Sequence, residues 1–337
     1  MPRLPALLAS LLATLCLVAP ARAWAPFGHQ TVGGIADQLI AGTPTAKKVR
    51  AILGGNLQMA SVWADCARSV EKRDGQWAYV KLKATDFPEC KVYENDASKA
   101  ALIAFVKRNA SHCGFRAGKA RCRHNAWHFT NLSVARTVYD ANAPGAADND
   151  LVQALAAAIT VLQGGKPAAG FNIASQREAL RLVAHFVGDV HQPLHVGAVY
   201  LDAKGQRLEP ASDAEANDHG NAGGNALLLK GGSLHRVWDN LPGKITTALL
   251  AGAGAAEAKQ IKRSPGAPDA WPALWASDTL VQAASAYQGL RFGAKLGDDW
   301  PATATEPAYR LAREDLQRQQ MVKAGARLAQ LVTALFP

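Results

Sequence analysis

Cysteine is scarce in this chain: there are five among 337 residues, and no two stand in C-x-x-C spacing. That absence argues against a thiolate zinc site. Cys16 falls in an N-terminal apolar stretch, which leaves Cys66, Cys90, Cys113 and Cys122 for the rest of the chain. In an exported protein four cysteines favour two disulfides, and three pairings are possible. The short loop between them favours Cys113–Cys122, with Cys66–Cys90 as the remaining pair.

A long apolar run is also missing. The apolar stretch at the N-terminus, residues 4–20, is too short to predict a membrane span. This run follows Arg3 and precedes Ala21-Arg22-Ala23, which has the small residues of a signal-peptidase site. We therefore predict a signal peptide over residues 1–23 and a secreted or periplasmic protein without a membrane anchor. Loss of Arg3 and Arg22 lowers the formal net charge from +10 to +8. This charge is dispersed and indicates solubility as readily as a polyanionic partner.

Strand signals are few, and the sequence has no internal repeat or low-complexity tract. Apolar residues instead recur at steps of three and four, the helical period, in residues 30–40, 44–53, 97–109, 148–162, 175–192 and 307–335. Residues 76–82 and 226–229 are candidates for short extended segments. The sequence therefore predicts an all-α fold, a single helical domain over residues 24–337 with at most short strands.

Three histidines and an aspartate are concentrated in residues 185–195. His185 and Asp189 are four residues apart, so a helix would place them on one face about 5–6 Å apart at Cβ. Pro193 should end or kink that helix, which lets His195 turn towards a second ion. Ordinary core hydrogen bonds are the alternative explanation, but burying so many polar groups without strong partners would be costly. The segment therefore predicts two adjacent metal ions.

Further candidate ligands are dispersed along the chain. His235 and Asp239 repeat the four-residue spacing, Asp65 precedes Arg68 by three residues, and His128 lies between a tryptophan and a phenylalanine. Taken singly, each has an ordinary interpretation as a cap, a surface residue or a hydrogen-bonded core residue. Together, imidazole and carboxylate ligands suit zinc, whereas a set of oxygen ligands alone would suit calcium or magnesium.

The predicted cleavage would expose a further ligand. It frees the α-amine of Trp24, five residues before His29. A free amine and its carbonyl can chelate a metal, whereas the amide of the uncleaved precursor cannot. Processing is therefore predicted to complete a metal site.

These motifs together resemble the S1/P1 nuclease family of zinc-dependent phosphodiesterases. The resemblance rests on Trp24…His29, Trp63-Ala64-Asp65…Arg68, Trp127-His128-Phe129, His185-x3-Asp189-x5-His195, Gly223-Gly224-Asn225 and His235-x3-Asp239-Asn240. It implies a helical fold of the zinc phospholipase C/P1 nuclease type. It also implies cleavage of single-stranded DNA and RNA to 5′-phosphorylated products, often with 3′-nucleotidase activity, and we expect a monomer.

The resemblance implies three zinc ions and a ligand set for each. The first set is Asp65, His128, His185 and Asp189; the second is His195, His235 and Asp239; the third is the Trp24 amine and carbonyl, His29 and a bridging Asp189. Arg68 and Asn240 are expected to contact the phosphoryl group, and Phe129 is a candidate surface for base stacking.

The other histidines match no ligand position in the family. His191 is expected either to contact the ligands without binding a metal itself or to have a structural role. His112, His124 and His219 are expected to be surface or loop residues.

Two features depart from the family pattern. Asn131 stands where many members have aspartate; it remains a candidate catalytic residue, but an amide cannot take a proton, which argues against a general-base role. Residues 69–126 form a cysteine-containing insert that separates Asp65 from His128 further than in the fungal members. The insert could reshape the substrate groove.

Two other functions are compatible with part of this pattern. A zinc phospholipase C has a similar N-terminal tryptophan and ligand order, but typically has glutamate where this chain has Asp239; Arg68 and Asn240 also favour the nuclease. A zinc-storage protein is the non-enzymatic alternative. The dispersed ligands suggest open coordination positions, which storage does not require.

Overall fold

The computed structural model describes residue 24 and residues 26–80, 88–110, 114–116, 119–121 and 123–337. The predicted signal peptide, His112 and the predicted Cys113–Cys122 pair lie outside the described residues. The fold is mainly helical with short strands, which confirms the predicted fold class. Among the described residues, no helix is both long enough and apolar enough to cross a membrane.

The helices are α1 (Pro26–Ile40), α2 (Pro44–Leu53), α3 (Leu57–Ala60), α4 (Trp63–Cys66), α5 (Asp96–Asn109), α6 (Leu151–Leu162), α7 (Gln176–Asp189), α8 (Pro193–Val196), α9 (Asp213–His219), α10 (Leu234–Asp239), α11 (Gly243–Ala248), α12 (Gly254–Ala258), α13 (Trp271–Ala286) and α14 (Ala308–Leu335). Short 3-10 turns cover Ala67–Ser69, Pro88–Tyr93, Arg123–Ala126 and Pro268–Ala270, and a π-helical turn covers Leu249–Ala253.

The strands are β1 (Val70–Arg73), β2 (Gln76–Tyr79), β3 (Gly114–Arg116), β4 (Lys119–Arg121), β5 (Leu132–Ser133), β6 (Gly197–Ala198), β7 (Tyr200–Leu201), β8 (Arg207–Leu208), β9 (Leu227–Leu229), β10 (Gly232–Ser233), β11 (Leu290–Phe292) and β12 (Trp300–Ala304). One sheet has four strands in the order β10-β9-β12-β11, with β12 parallel to β9 and the other pairs antiparallel. The other sheets are two-stranded pairs, of which β5–β6 is parallel.

All six predicted helical segments are helical in the structure. The long segment over residues 175–192 becomes α7, and α8 begins at Pro193, which lacks the N–H needed to continue a helix. The two predicted extended segments contain β2 and β9. The helix α13, of 16 residues, was not predicted.

Helix α7 lies at the centre of the molecule and packs against α1, α2, α3, α4, α6 and α14. Its start is fixed by Ser175, whose hydroxyl accepts the backbone N–H of Glu178. The Glu178 carboxylate in turn accepts the N–H of Ala174 at 3.0 Å and pairs with Arg108 at 2.6 Å. The serine bond satisfies one of the free N–H groups of the helix start, and the glutamate bond holds the residue that precedes the cap. They define where α7 begins and hence where its histidine and aspartate lie.

The apolar side chains form two main clusters. The larger involves α1, α2, α6, α7, α13 and α14, and the smaller is built around α10, β9 and β12. Leu194 of α8 belongs to the smaller cluster, whereas Val190 and Val196 on either side of it belong to the larger. The segment that carries the histidine-rich motif therefore lies between the two.

A disulfide joins Cys66 at the end of α4 to Cys90, with the two Cα atoms 5.6 Å apart. The predicted Cys66–Cys90 pairing is confirmed. Because Cys66 directly follows Asp65, the bond attaches the predicted insert to the helix that carries a candidate ligand.

Candidate metal centre

Eight side chains converge where α7 and α8 meet α1, α4 and α10. They form three groups whose potential ligand atoms lie within 4.8 Å of one another: His29, Asp65 and His185; His128, His185 and Asp189; His195, His235 and Asp239. All eight were named from the sequence, and residues as far apart as His29 and Asp239 meet in one region. His128 is partly exposed, whereas the other seven are buried.

Three of the histidines are oriented by backbone carbonyls. The Nδ1 atom of His185 lies 2.6 Å from the Ser61 oxygen, that of His195 2.7 Å from the His128 oxygen, and that of His235 2.6 Å from the Gly223 oxygen. Because a carbonyl only accepts, each Nδ1 carries the hydrogen and donates it. The Nε2 lone pair of each ring is then left for a metal, as is usual for histidine ligands.

The carboxylate of Asp189 connects two of these groups. Its Oδ2 lies 3.1 Å from both His128 Nδ1 and His185 Nε2. Its Oδ1 lies 3.4 Å from His29 Nε2. One carboxylate therefore presents a different oxygen to each of two neighbouring ligand sets, as a bridging ligand must.

The donor atoms fit zinc. Six buried atoms of these groups have no hydrogen-bond partner: His29 Nδ1 and Nε2, Asp65 Oδ1, Asp189 Oδ1, His195 Nε2 and Asp239 Oδ2. Leaving buried polar atoms unpaired costs about 1–3 kcal/mol each, so a bound cation is the natural partner. Neighbouring donors 3.0–3.4 Å apart also match the edge of a zinc tetrahedron, about 3.3 Å for bonds of about 2.0–2.1 Å.

Charge within the centre follows from burial and from contacts between the groups. Burial lowers the pKa of His195 to about 3, so this imidazole is neutral near pH 7. Burial also lowers the pKa of His185, but the Asp189 and Asp65 carboxylates outweigh it and raise that pKa to about 9. The pKa of Asp239 is raised well above its ordinary value by burial. A cation at this position would compensate the burial of that carboxylate.

Two glycines make room for the ligands. A Cβ on Gly188, inside α7, would lie 2.7 Å from His29 Nδ1, so only glycine lets α1 approach this closely. Gly223 has a φ of +62°, and a Cβ there would lie 2.8 Å from the Leu194 oxygen. The turn at Gly223 is what brings its carbonyl to His235.

Trp24 is brought to the same region. Its side chain is fully buried, and its Nε1 donates to the Gly188 carbonyl at 2.8 Å. That bond anchors the Trp24 side chain against α7, close to His29.

The remaining predicted site residues lie at different places around the centre. Arg68 reaches it, with Nη1 3.7 Å from Asp65 Oδ1 and about a quarter of its side chain exposed. Phe129 and Asn131 are half-buried. A Cβ on Gly223 would lie 3.6 Å from Asn131 Oδ1, which puts this amide beside the His235 group. Asn240 is exposed. Its side-chain amide donates to the Arg236 carbonyl at 2.6 Å, at the C-terminal end of α10.

Sequence reasoning missed several residues that orient the ligands. Gln192 donates from Nε2 to Asp239 Oδ1 at 2.8 Å, and Ser61 supplies the carbonyl for His185. Gly188 could have been found, because a glycine inside a helix beside a candidate ligand usually has a packing reason. The roles of Gln192 and Ser61 depend on tertiary contacts and have no local signal.

The other histidines that the structure describes, His124, His191 and His219, are not part of the three groups. His191 is buried; its Nδ1 lies 2.7 Å from the Val187 carbonyl and its Nε2 2.9 Å from Arg327 Nη1. His219 is half-buried near the Leu201 carbonyl. The prediction that His124 is a surface or loop residue was wrong: it is only 7% exposed, packs edge-on against Phe105 and contacts the Asn109 carbonyl.

His124 gives a prediction for stability against pH. Burial lowers its pKa to about 4, below the ordinary value of 6.5. The unfolded chain therefore takes the proton first, so stability is unaffected above pH 6.5 and falls between pH 6.5 and 4. Relative to His124→Gln, we expect the wild type to lose on the order of 2–3 kcal/mol over this range. Urea unfolding of the two metal-free proteins at several pH values measures this difference, and parallel curves would contradict it.

Comparison with known proteins agrees with this site. The family model for S1/P1 Nuclease matches residues 114–337, two thirds of the chain. The match includes the C-terminal stretch beyond Asn240, for which the motifs gave no support. Among curated proteins, Endonuclease 5 of Arabidopsis thaliana is 27% identical over 180 residues, which are 47% of this chain and 51% of that protein.

Endonuclease 4 of the same plant is 28% identical over 183 residues, or 47% of this chain and 50% of that protein. Endonuclease 2 is 28% identical over 180 residues, with 47% and 52% coverage. The matches thus span about half the length of the curated relatives. Because the family match covers most of the chain and contains six of the eight converging side chains, this protein belongs to the S1/P1 nuclease family.

Proposed function

We propose that this protein is a zinc-dependent phosphodiesterase that hydrolyses single-stranded DNA and RNA to 5′-phosphorylated products and also acts as a 3′-nucleotidase. The observation that carries the proposal is the convergence of eight imidazole and carboxylate side chains. Five of them, His29, Asp65, Asp189, His195 and Asp239, have buried polar atoms without a hydrogen-bond partner. Membership of a nuclease family supports the same reaction class.

The proposed ligands form three sets. Asp65, His128, His185 and Asp189 hold one zinc; His195, His235 and Asp239 hold a second; the Trp24 amine and carbonyl, His29 and Asp189 hold a third. Bound zinc supplies a Lewis acid for phosphoryl oxygens and lowers the pKa of water towards ~7. The nearby donor distances and unpaired atoms support this assignment.

The residues around the metals bind and orient the substrate. Arg68 approaches Asp65 from a partly exposed position, so its guanidinium can contact a non-bridging phosphoryl oxygen. Phe129 directly follows the ligand His128 and is half-buried, which suits a stacking surface for any base. Single-strand preference follows if a base must leave the helical stack to reach it. Asn131 can hydrogen-bond a base or a water but cannot take a proton.

Replacing Arg68 tests the proposed phosphate contact. Arg68→Met should lower kcat/KM on single-stranded DNA by about 10²–10³, the usual cost of one donor to a developing negative charge. Zinc content should be unchanged, because Arg68 is not a ligand. Arg73→Met is the matched control, since Arg73 is exposed and pairs only with Glu71 among the described residues. Equal rates in Arg68→Met and the control would contradict the role.

The amine of Trp24 has its own test. A chain with one alanine placed before Trp24 turns the amine into an amide, and we expect it to bind one zinc ion fewer than the chain that begins at Trp24. The same applies to a precursor whose cleavage is blocked at Ala23. Metal analysis of the purified proteins gives the count. Full zinc content and full activity in a blocked protein would rule out the amine as a ligand.

The function itself is tested by metal analysis together with side-by-side substrates. We expect zinc in the purified protein, rapid hydrolysis of single-stranded DNA and RNA, slower hydrolysis of duplex DNA, and release of phosphate from 3′-nucleotides. Preferential hydrolysis of phosphatidylcholine would instead indicate a phospholipase C. Zinc binding without turnover of any phosphate ester would indicate storage.

We also propose that the protein is exported and acts as a monomer. The Cys66–Cys90 disulfide supports an oxidising compartment. Reducing and non-reducing electrophoresis of cell fractions, with size-exclusion chromatography, tests both points. A reduced cytoplasmic protein would contradict export.

A further inference from the structure

Gln192 occupies the turn between α7 and α8, three residues after Asp189 and three before His195. It is fully buried. Its Oε1 accepts the backbone N–H of Leu194 at 2.5 Å, which caps the start of α8. Because this oxygen faces an N–H group, the amide nitrogen must point the other way, towards Asp239.

The bond from Gln192 divides the two oxygens of Asp239 between different partners. Nε2 donates to Oδ1 at 2.8 Å. The other oxygen, Oδ2, has no hydrogen-bond partner and lies 3.4 Å from His235 Nε2. His195 Nε2, also without a partner, lies 3.9 Å from Oδ1 of the same carboxylate. The amide thus occupies one oxygen and leaves the second for a metal.

We propose that Gln192 is a positioning residue, which fixes the Asp239 carboxylate so that Oδ2 faces the zinc held by His195, His235 and Asp239. This inference rests on the proposed function. It adds a role for a residue that is not itself a proposed ligand. The segment around Gln192 then supplies two ligands, Asp189 and His195. It also orients a third, Asp239, which lies 47 residues after Gln192.

The inference predicts an effect confined to one metal site. Partners of ligands typically contribute 10–100-fold to metal affinity. Loss of the Gln192 donor should therefore weaken the zinc at His195, His235 and Asp239 about tenfold or more. The two sites that share Asp189 should keep their affinity, since within the described residues the Gln192 side chain bonds to none of their ligand side chains.

The test uses Gln192→Glu, which keeps an acceptor for the Leu194 N–H, removes the donor to Asp239 and places a second carboxylate against Oδ1. Gln317→Glu is the matched control: Gln317 is also fully buried and donates to α10, but to the Trp238 carbonyl instead of the carboxylate. Gln192→Met, which removes both bonds without adding a charge, is the second test variant. Zinc retained per chain is measured against increasing chelator, and thermal melting is followed at saturating zinc.

We expect both Gln192 variants to lose one zinc ion at about a tenfold lower chelator concentration than wild type. The Gln317 control should lose its zinc ions at the same chelator concentrations as wild type. At saturating zinc, the kcat of Gln192→Met on single-stranded DNA should return to that of the wild type. Unchanged zinc retention in both Gln192 variants would overturn the proposal. So would equal weakening of all the zinc ions, because that is what a merely structural role predicts. Zinc loading is read without substrate, so a wild type that binds zinc but cleaves no phosphodiester would refute only the proposed function.

Discussion

Replacing Asp189 by asparagine is expected to reduce kcat/KM on single-stranded DNA by three orders of magnitude or more, a loss of at least about 4 kcal/mol in transition-state stabilisation. Asparagine has the same shape but no charge, and one of its two positions becomes an NH₂ donor. Loss of the charge weakens both neighbouring sets, because Oδ2 faces His128 and His185 while Oδ1 faces His29. In either orientation the amide NH₂ also opposes one of them. Zinc content should fall by two ions.

Asp239→Asn is the matched comparison for this effect. Asp239 belongs to one proposed ligand set, with His195 and His235, whereas Asp189 belongs to two. Replacement of Asp239 should therefore cost one zinc ion and a smaller part of the activity. Steady-state kinetics and metal analysis of the two variants, purified in parallel, provide the measurement. Equal losses of activity and metal would contradict the bridging role of Asp189.

Removing zinc is the second large effect. We expect a strong chelator to abolish hydrolysis and to lower the melting temperature on the order of 10 °C or more. A ligand present at about 1,000 times its Kd stabilises the folded state by about 4 kcal/mol, and each of the three proposed ions would add to this effect. The metal-free protein also retains buried donors without hydrogen-bond partners.

Two controls accompany the chelation experiment. Chelator already saturated with zinc should have no effect, and added zinc should restore both the melting temperature and the activity. The Cys66–Cys90 bond must stay oxidised throughout, so that its loss does not contribute. A melting temperature that is the same with and without zinc would show that these side chains do not hold structural or catalytic metal.

The candidate ligands that converge in the structure could be named from the sequence, because their chemistry is visible in local spacing. His185 and Asp189, or His235 and Asp239, lie four residues apart on short helices, and Pro193 marks the change of direction before His195. Convergence of the separate segments was supplied by the family resemblance, since spacing alone says nothing about distances between helices. The Cys66–Cys90 pairing was predicted by elimination and is confirmed.

What was missed has physical reasons. Helix α13 buries Trp271, Ala276 and Thr279 on the same face, so small and polar residues weaken the apolar stripe that a helix normally shows. His124 is buried by packing against Phe105, which no neighbour in sequence indicates. The direction of the Asn240 amide depends on the end of α10, and the partner of Gln192 lies in another helix.

Gly188 sets a limit on engineering this protein for heat resistance. A glycine in a helix interior costs roughly 0.5–1 kcal/mol relative to alanine, so a stabilisation programme would choose this position early. Here the added methyl group would lie 2.7 Å from His29 Nδ1 and 3.7 Å from the Trp24 ring. The methyl group that would stiffen the central helix therefore crowds a proposed zinc ligand, and more durable versions of this protein must gain their stability at other positions.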